Sequence, residues 1–266
     1  PVIEQPTVSH EYQHINPDRF ADSAGVPWEG RHFEANPWAG DDGSANPQLL
    51  TILEQFQVGQ AQAHEVHSVL RESRLLVPLV ANLGESGEGA HGQTVDKSAD
   101  LSIVSVSSPD GQTALPVFSS VTAMAAWNSS ARPVPIETAR VALAAASEGN
   151  GRIILDPGNA TQFVIRRTAF RSLADGSTWI HPSLNADLKR AFALVIDAER
   201  LVENFAIQNG DPMARLEGPE ILVYLKLAPG LSQAQLQELL GRLSAGWAQS
   251  AELAAGVDSI GIKLVA

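Results

Sequence analysis

The middle of the chain carries the signal that most constrains its fold, a β-hairpin. Residues 101–106 alternate apolar and polar side chains, the pattern of a strand with one buried face. Asp110 and Gly111 follow, and residues 113–118 return as a second apolar run. An Asp-Gly pair between two such runs is a strong short-range signal for two antiparallel strands joined by a tight turn. The sequence therefore predicts a hairpin over residues 101–118.

Helix and strand signals alternate after this hairpin. Ser119 or Ser120 is suited to cap a helix, because a serine hydroxyl accepts from the free backbone N–H groups of the first turn. Gly149 is suited to end a later helix, and Asp156-Pro-Gly158 forms a turn between two short strands. The predicted order is helix 121–127, extended segment 132–135, helix 138–146, strand 153–155, strand 162–165 and helix 169–173. This order predicts an α+β fold with a mixed or antiparallel sheet and flanking helices.

Three motifs in the chain resemble those of a known family. They are Gly40-Asp-Asp-Gly43, Leu115-Pro-Val-Phe-Ser-Ser120 and Leu155-Asp-Pro-Gly158. Together with the hairpin, they resemble the amino-terminal domain of the enhanced-serine-sensitivity, or SseB, family. The resemblance implies an α+β domain but no reaction, because the family takes its name from a phenotype and has no established biochemical activity. Family members of the actinobacterial type have a comparable second part, so the resemblance extends over most of the chain.

The segment before the hairpin holds two predicted helices and one strand. Asn46 and Pro47 are typical of a helix start, and apolar residues then repeat at helical spacing. A second helical pattern leads to residues 75–83, which are predicted to form a buried strand. Because Pro78 has no N–H to donate, this strand is expected at a sheet edge or at a bulge. Residues 84–100 are rich in Gly, Ser and charge, and we expect them to form a mobile loop.

The length of 266 residues allows two modest hydrophobic cores, so two domains are predicted. Residues 1–45 are interpreted as an acidic irregular arm, residues 46–178 as the SseB-like amino-terminal domain and residues 179–266 as a smaller α/β domain. Residues 179–183 form the predicted linker. The last part is expected to contain helix 184–198, strands 201–208 and 221–227, helix 232–247 and strand 260–265. A helix that crosses between the last two strands predicts a small α/β sandwich.

Acidic residues outnumber basic ones, and half of the excess lies in the arm. The net charge of the chain is −12, and residues 1–45 contribute −6, with eight acidic side chains against two basic ones. Residues 100–176 carry six of each and are neutral. A surface that binds nucleic acid needs clustered Lys and Arg, so no nucleic-acid partner is expected. A basic protein partner fits the arm, and so does the plainer interpretation of a solvated tail.

Composition also limits the chemistry that the chain can carry. It has no cysteine, which excludes disulfides, thiol catalysis and thiolate metal sites. Its longest apolar runs are far shorter than the roughly 18 residues that a bilayer span needs, so no membrane contact is expected. The first residues lack the basic and apolar regions of a secretory signal, and we expect a cytoplasmic location. No cofactor is expected.

Three patterns suggest chemistry, and each has a plainer interpretation. Residues 87–92 have the glycine spacing of a dinucleotide-binding turn, but no apolar helix follows and the neighbouring glutamates would repel a pyrophosphate. His64 and His67 would share one face of a helix, yet no third metal ligand is signalled nearby, which favours surface residues. Ser119 lacks the glycines of a nucleophile elbow, which favours capping. No catalytic or metal-binding residue is predicted.

Six residues near the motif strands are predicted to line an interaction groove. Arginines there would bind the carboxylates of an acidic peptide and aromatic rings would supply apolar contact, although such rings more often lie in a core. The six are Phe118, Trp127, Arg132, Phe163, Arg166 and Arg167. Because side chains alternate along a strand, Arg166 and Arg167 are expected on different faces.

Three functions stay open at this stage. A non-enzymatic cytoplasmic protein that acts by protein–protein interaction is favoured, because residues that set turns and cores dominate the motifs. The alternative is a small-molecule sensor or an enzyme, related to amino-acid metabolism, with a pocket near Arg132 and Arg166. The third is a self-associating structural protein, a homodimer that pairs through residues 221–227 as an edge strand.

Overall fold

A computed structural model gives the fold of this protein. The described residues are 38–82, 100–108 and 111–265. Outside them lie most of the predicted arm, the glycine motif at residues 87–92, most of the predicted loop at 84–100, and Asp110 of the first turn. By its contacts the chain divides into two units, residues 1–40 and residues 41–266, and the second unit contains every element below.

Eight helices and ten strands occur in the described part of the chain. The helices are α1 (Pro47–Gln57), α2 (Ala63–Arg71), α3 (Val121–Trp127), α4 (Thr138–Ser147), α5 (Phe170–Asp175), α6 (Ala186–Ile196), α7 (Gln233–Gln249) and α8 (Ala251–Gly256). The strands are β1 (Arg74–Asn82), β2 (Asp100–Ile103), β3 (Val106–Ser107), β4 (Thr113–Val117), β5 (Arg132–Glu137), β6 (Arg152–Leu155), β7 (Phe163–Arg166), β8 (Val202–Asn209), β9 (Ile221–Leu227) and β10 (Ile260–Val265). Within the described ranges, none of the helices is both long and apolar enough to cross a bilayer.

The strands form three sheets among the described residues, and the predicted α+β class is confirmed. The first sheet has the order β2-β1-β5 and is antiparallel. The second has the order β3-β4-β6-β7 and is mixed, because β4 and β6 are parallel. The third has the order β10-β9-β8 and is also mixed.

The first helix begins as the sequence predicts. The side chain of Asn46 accepts a hydrogen bond from the Gln48 backbone N–H at 2.9 Å, and Pro47 occupies the first helical position, where a missing N–H costs nothing. Leu49 and Leu53 of α1 are each 1 % exposed. Helix α1 therefore turns its apolar face into the main core.

The position of strand β1 in its sheet differs from the position predicted from Pro78. The strand lies in the centre of its sheet, not at an edge. The backbone N–H of Leu76 donates to Phe118, so Pro78, two residues further on, faces the same side. On that side β2 begins its pairing only at Leu79, opposite Ile103. The proline therefore occupies a gap between two partners, where no donor is needed.

The first predicted hairpin forms in a shorter version. Val106 and Ser107 pair with the start of β4, and the Gly111 N–H donates to the Ser108 carbonyl across the turn at 2.8 Å. Residues 100–103, however, pair with β1 in the other sheet. The single strand predicted over residues 101–106 is therefore two strands, which connect the first sheet to the second.

The second predicted hairpin is confirmed, and it forms the centre of the main core. Strands β6 and β7 are antiparallel, with Leu155 opposite Phe163. One face of this pair packs into a large apolar cluster beneath α1, α2, α4 and α5. The opposite face carries Ile154 and Val164, which pack against Leu216 from the last third of the chain.

In the last third of the chain, the predicted helical crossover is confirmed, but the predicted position of one strand in its sheet is wrong. Strands β9 and β10 are parallel, and α7 and α8 connect them. A second apolar cluster lies between this sheet and helices α6, α7 and α8. Strand β9 is the central strand, between β8 and β10, so the prediction that residues 221–227 form an edge strand is wrong. A hydrogen-bonded strand flanks β9 on each side. The alternation of buried residues along β9 does not show how many neighbouring strands it has.

The boundary predicted after residue 178 remains a prediction. Two large apolar clusters fit a division into two domains. Yet Trp179, in the predicted linker, packs against the first cluster, as does Ala214. The Val164 N–H also donates to the Ala214 carbonyl at 2.8 Å. The two parts are therefore in direct contact through both apolar and polar groups.

Candidate functional site

The three motifs singled out in the sequence meet at Ser119. Arg74, at the start of β1, donates to the Ser119 carbonyl at 2.6 Å and to the Asp41 carboxylate at 2.8 Å. Asp156, in the turn after β6, accepts from the Ser119 backbone N–H and hydroxyl, both at 2.8 Å, and from the Thr161 hydroxyl at 2.7 Å. One hydrogen-bonded cluster thus joins the Gly-Asp-Asp-Gly turn, the end of β4 and the turn after β6.

This cluster is closed to solvent. Ser119 is 2 % exposed and Asp156 is fully buried. Burial raises the pKa of Asp156, and the hydrogen bonds from Ser119 and Thr161 oppose that rise. The Ser120 hydroxyl accepts from the Ala123 N–H at 3.1 Å, so Ser120 is the residue that caps α3. The motif residues therefore hold turns in place and offer no open surface to a substrate.

The aromatic residues predicted for a groove lie in two different cores. Phe118 is fully buried, and its ring centroid is 5.3 Å from that of Trp127 in a small cluster with Met124. Phe163 is 1 % exposed and lies 5.1 Å from Phe56 in the main core. Both phenylalanines thus take the core positions that the sequence offered as the alternative.

The predicted arginines are also spread over different places. Arg132 is exposed on the edge strand β5. Arg166 is 8 % exposed and donates to Asp258, and the Arg167 Nε lies 3.8 Å from the same carboxylate. Arg166 and Arg167 are therefore not split between faces, because β7 ends at Arg166 and Arg167 begins a helical turn. The six residues do not meet in one groove, and their binding of a partner stays a prediction.

Arg166 belongs to a buried ion-pair network that the sequence did not indicate. It donates to Asp211 at 2.7 Å and to Asp258 at 2.9 Å. Arg152, at the start of β6, also donates to Asp258 at 2.9 Å. The side chains of Arg152 and Asp258 are each 1 % exposed. Beside them Glu220 accepts from the Thr168 hydroxyl at 2.6 Å, and burial raises its pKa. The network joins strands β6 and β7 to the last third of the chain.

A cleft opens beside this network. Its outer part has a volume of about 590 Å³, and its narrow inner part has a volume of about 30 Å³. Both parts share the residues Phe56, Ala63, Trp179, His181, Asn209 and Pro212. The inner part also reaches His67, Arg166 and Asp211. The outer volume lies in the range of small-molecule and peptide-anchor pockets, which is about 300–1,000 Å³.

Large apolar side chains surround the mouth of the cleft. Ile180 and Leu184 line its outer part and are 53 % and 66 % exposed. Met213 lines the same part, and Val58, next to the lining residue Gly59, is 69 % exposed. Single exposed aliphatic residues are ordinary on protein surfaces, whereas several around one apolar cavity indicate a binding surface.

His67 lies at the inner end of the cleft in an unusual environment. The residue is 6 % exposed, and its ring stacks on Trp179 with centroids 4.3 Å apart. Its Nδ1 is buried and has no hydrogen-bond partner among the described residues. Burial lowers the pKa of His67 to about 3, and the neighbouring imidazoles of His181 and His64 act in the same direction. The imidazole is therefore neutral, and the surface position predicted for His67 is wrong: α2 turns it inward beside Val66 and Leu70.

His181 is neutral as well. Its Nδ1 accepts a hydrogen bond from the Ser183 backbone N–H at 3.1 Å, so the single ring proton lies on Nε2. Burial lowers the pKa of His181 to about 4, and the positive charge of Arg166 adds to this effect. His181 is the N-cap of a short helical turn, and the Ser183 hydroxyl also lies 2.8 Å from the same ring nitrogen.

The cleft offers apolar contact and neutral hydrogen-bonding groups. Two imidazoles with pKa values of about 3 and 4 remain uncharged near pH 7 and are weak bases there. The guanidinium of Arg166 is held by Asp211, Asp258, Ser259 and the Gly218 carbonyl. Within the described ranges, no three His, Asp or Glu side chains come together as a metal site.

Sequence reasoning missed the cleft because it assigned residues 179–183 to a linker. Trp179 and Ile180 are large apolar residues, which are unusual in a solvated connection, and this composition is the signal that was available. The sequence indicates the inward orientation of His67 only weakly, through its position directly after Val66, which is buried. The approach of residues 209–213 to the cleft depends on tertiary contacts and had no local signal.

Comparison with known proteins identifies the part of the chain that carries the motifs. The family model of the SseB protein N-terminal domain matches residues 49–172. The comparisons with curated proteins and with solved structures found no match. The likeness of the second part to actinobacterial members therefore stays a prediction. The matched region contains the hairpin, the turn at Ser119 and the Asp156 turn. Residues 49–172 are therefore similar to the SseB protein N-terminal domain.

Proposed function

We propose that the protein acts by protein–protein interaction, and that its cleft takes an apolar side chain from a segment of the partner. The observation that carries this proposal is the exposure of Ile180 and Leu184 around a cavity of about 590 Å³. An aromatic floor formed by Trp179 and Phe56 suits a leucine-like or aromatic anchor. Burial of such an anchor in a pocket is the usual centre of a protein interface.

The charges in and around the cleft also indicate which kind of partner segment would bind there. Both histidines are neutral and Arg166 is held by its own ion pairs, so these three residues offer no free charge to a charged anchor. The whole chain has a net charge of −12, which favours a partner segment with basic residues around its apolar anchor. The acidic residues 1–45 would add to this attraction. Nucleic acid and membrane remain unexpected partners, and a cytoplasmic location remains part of this proposal.

Affinity capture with matched variants tests the proposal. Leu184→Asp places a charge at the mouth of the cleft, and Leu194→Asp is the control, because Leu194 is 75 % exposed on α6 and does not line the cleft. We expect one stoichiometric protein from native lysate to be retained by the wild type and by Leu194→Asp, and to be lost from Leu184→Asp. Retention should also weaken at high salt. Equal retention by the two variants would rule out the cleft as the docking site.

A small-molecule site is the second candidate, and the inner part of the cleft favours it. There an unpartnered His67 Nδ1 lies near Arg166 and Asp211, the setting expected of the sensor or enzyme alternative. Arg132 would not contribute, because it does not line the cleft. Native mass analysis of the same eluate distinguishes the candidates. A small molecule of fixed mass, released by unfolding, would favour this second function over a protein partner.

Self-association is a further alternative, but it would use a different strand from the one predicted. Because β9 is central, a homodimer through this sheet would have to use β8 or β10 as its edge. Leu264 and Val265 on β10 are 44 % and 41 % exposed. Light scattering of the full chain at several concentrations measures whether the protein forms a homodimer.

A further inference from the structure

Strand β10 lies at one edge of the third sheet, and no described strand pairs with its outer side. The Ser259 carbonyl accepts from the Ile221 N–H of β9 at 3.0 Å, so the backbone of residue 259 faces β9. The backbone groups of successive residues in a strand point to opposite sides. The outward-facing N–H and C=O groups of β10 are therefore those of Ile260, Ile262 and Leu264.

The side chains of these three residues lie on the face of the sheet that α6, α7 and α8 cover. Ile260 and Ile262 pack against the apolar cluster on that face. Leu264 lies opposite Leu225, which is fully buried there, yet Leu264 itself is 44 % exposed. The helices therefore leave the end of β10 uncovered, and a large apolar side chain extends into solvent at the edge of the sheet.

A pocket of about 280 Å³ lies along the same edge. Its walls come from α7, α8, the segment after α8 and β10, where Ile260 and Ile262 line it. No described residue of β8, β9 or α6 lines it, so the pocket lies on the outer side of β10. The walls are mainly apolar and include Trp247, Leu253 and Val257. One edge of the molecule thus carries both an exposed leucine and an apolar pocket.

Antiparallel pairing of β10 with β10 of a second copy brings these two features together. Directly opposite residues of an antiparallel pair have side chains on the same face. When Ile262 lies opposite Ile262 of the second copy, Leu264 lies opposite Ile260. Opposite Cβ atoms are about 4.5–5.5 Å apart, so each leucine reaches the pocket that Ile260 of the other copy lines. All of these pairs use outward-facing backbone groups, which gives about six hydrogen bonds between the two strands.

Lys263 favours this register over its neighbour. Its side chain lies on the other face of the sheet, with Nζ 5.5 Å from the ring centroid of Tyr224 in β9 and so directed away from the free edge. In the pairing described, Lys263 lies opposite Gly261, which has no side chain to meet it. A shift by two residues would place Lys263 opposite Lys263 of the second copy, where like charges repel.

We propose that the protein forms a homodimer through β10, in which Leu264 of each copy fills the pocket of the other. This makes the self-association alternative specific, and it does not depend on the cleft, which shares no lining residue with this pocket. The paired edge is small, so we expect a dissociation constant on the order of 10 µM. Each copy has a net charge of −12, so screening by salt should strengthen the dimer.

Sedimentation velocity of the full chain, over concentrations that span this dissociation constant, tests the proposal. Leu264→Asp brings a charge to the apolar pocket of the second copy and should weaken dimerisation by about a hundredfold or more. Leu194→Asp adds the same charge on α6, where Leu194 is 75 % exposed and lines neither this pocket nor the cleft, and it should dimerise as the wild type does.

The outcomes separate this proposal from the proposal for the cleft. Leu184→Asp, which alters the mouth of the cleft, should dimerise as the wild type does. Loss of the lysate partner from Leu184→Asp and loss of the dimer from Leu264→Asp are therefore independent results. A monomer at every concentration would overturn the homodimer, and so would dimerisation of Leu264→Asp with the affinity of the wild type.

Single cysteines test the register, because the chain has none of its own. Opposite residues that exchange hydrogen bonds have Cα atoms about 5.5 Å apart, within the range of a disulfide, so Ile262→Cys should give a disulfide-linked dimer under mild oxidation. The control is Val265→Cys, which keeps Leu264 and places the two cysteines on the order of 20 Å apart. It should cross-link at least about tenfold more slowly, and equal rates for the two variants would contradict the pairing at Ile262.

Discussion

Some buried polar residues of this protein make several hydrogen bonds, whereas others keep an atom that has no hydrogen-bond partner among the described residues. Asp156 receives three hydrogen bonds and Arg166 makes four, so each stabilises the turn or strand on which it lies. His67, Trp247 and Asp258 keep an atom without a hydrogen-bond partner among the described residues. An unsatisfied buried group costs stability, so each of these three residues lowers the stability of the fold.

The first prediction concerns the acid stability that His67 causes. An unfolded histidine takes up its proton near pH 6.5, whereas the folded-state pKa of His67 is about 3. Between these values the unfolded state binds more protons, so the free energy of unfolding falls as the pH falls. From pH 7 to pH 5 this loss is about 2 kcal/mol for His67 alone. His67→Phe keeps an aromatic ring against Trp179 and should remove that part of the acid sensitivity.

Urea unfolding at pH 7 and at pH 5 measures this effect. His64→Phe is the control, because it removes an exposed imidazole from the same helix. The control should lose as much stability at pH 5 as the wild type. An identical loss in His67→Phe would mean that His67 is not neutral in the folded protein, and the view of the cleft as an uncharged site would then fail.

At the level of elements, local signals predicted the order of helices and strands but not their neighbours in a sheet. The Asn46 cap, the Gly149 helix end and the Asp156 turn depend on contacts within a few residues, and all three formed as expected. Pro78 and β9 were misplaced, because the position of a strand within its sheet is set by residues far away in the chain. The cleft was missed because residues 179–183 were assigned to a linker and because the approach of residues 209–213 depends on tertiary contacts.

The second prediction concerns the turn that begins the motif cluster. Gly43 has a φ of +79°, and a Cβ there would lie 2.5 Å from Val121 Cγ1. Its carbonyl also accepts from the Val121 N–H, at the first residue of α3. Gly43→Ala therefore combines an unfavourable backbone conformation with a clash, and it should cost on the order of 3 kcal/mol of unfolding free energy.

Gly59 gives the matched control for this substitution. Its φ is +74°, but nothing lies within 4 Å of the Cβ that alanine would add. Gly59→Ala should cost only about 1 kcal/mol, the backbone part of the effect. Thermal and urea unfolding of both variants measure the difference. Equal losses would show that Val121 moves aside easily and that the turn does not hold α3 in place.

For the whole molecule, the important question is whether the SseB N-terminal domain and the last third of the chain unfold together. Arg152 and Arg166 lie in the matched domain, and their partners Asp211 and Asp258 lie outside it. A buried charge without its partner is far more costly than an intact pair. Separation of the two parts would leave both sides of this network uncompensated, which favours a single unfolding transition.

The third prediction is that Arg166→Met destabilises both parts at once. The change leaves the buried Asp211 without its arginine and removes one of the arginines around Asp258, which keeps Arg152. It should cost about 3–5 kcal/mol. Arg171→Met is the control, because Arg171 is 91 % exposed and its pair with Asp175 should contribute at most about 1 kcal/mol. Urea unfolding followed by tryptophan fluorescence and by circular dichroism should give one coincident transition for the wild type. Two separate transitions, or equal losses in the two variants, would mean that the network does not join the parts.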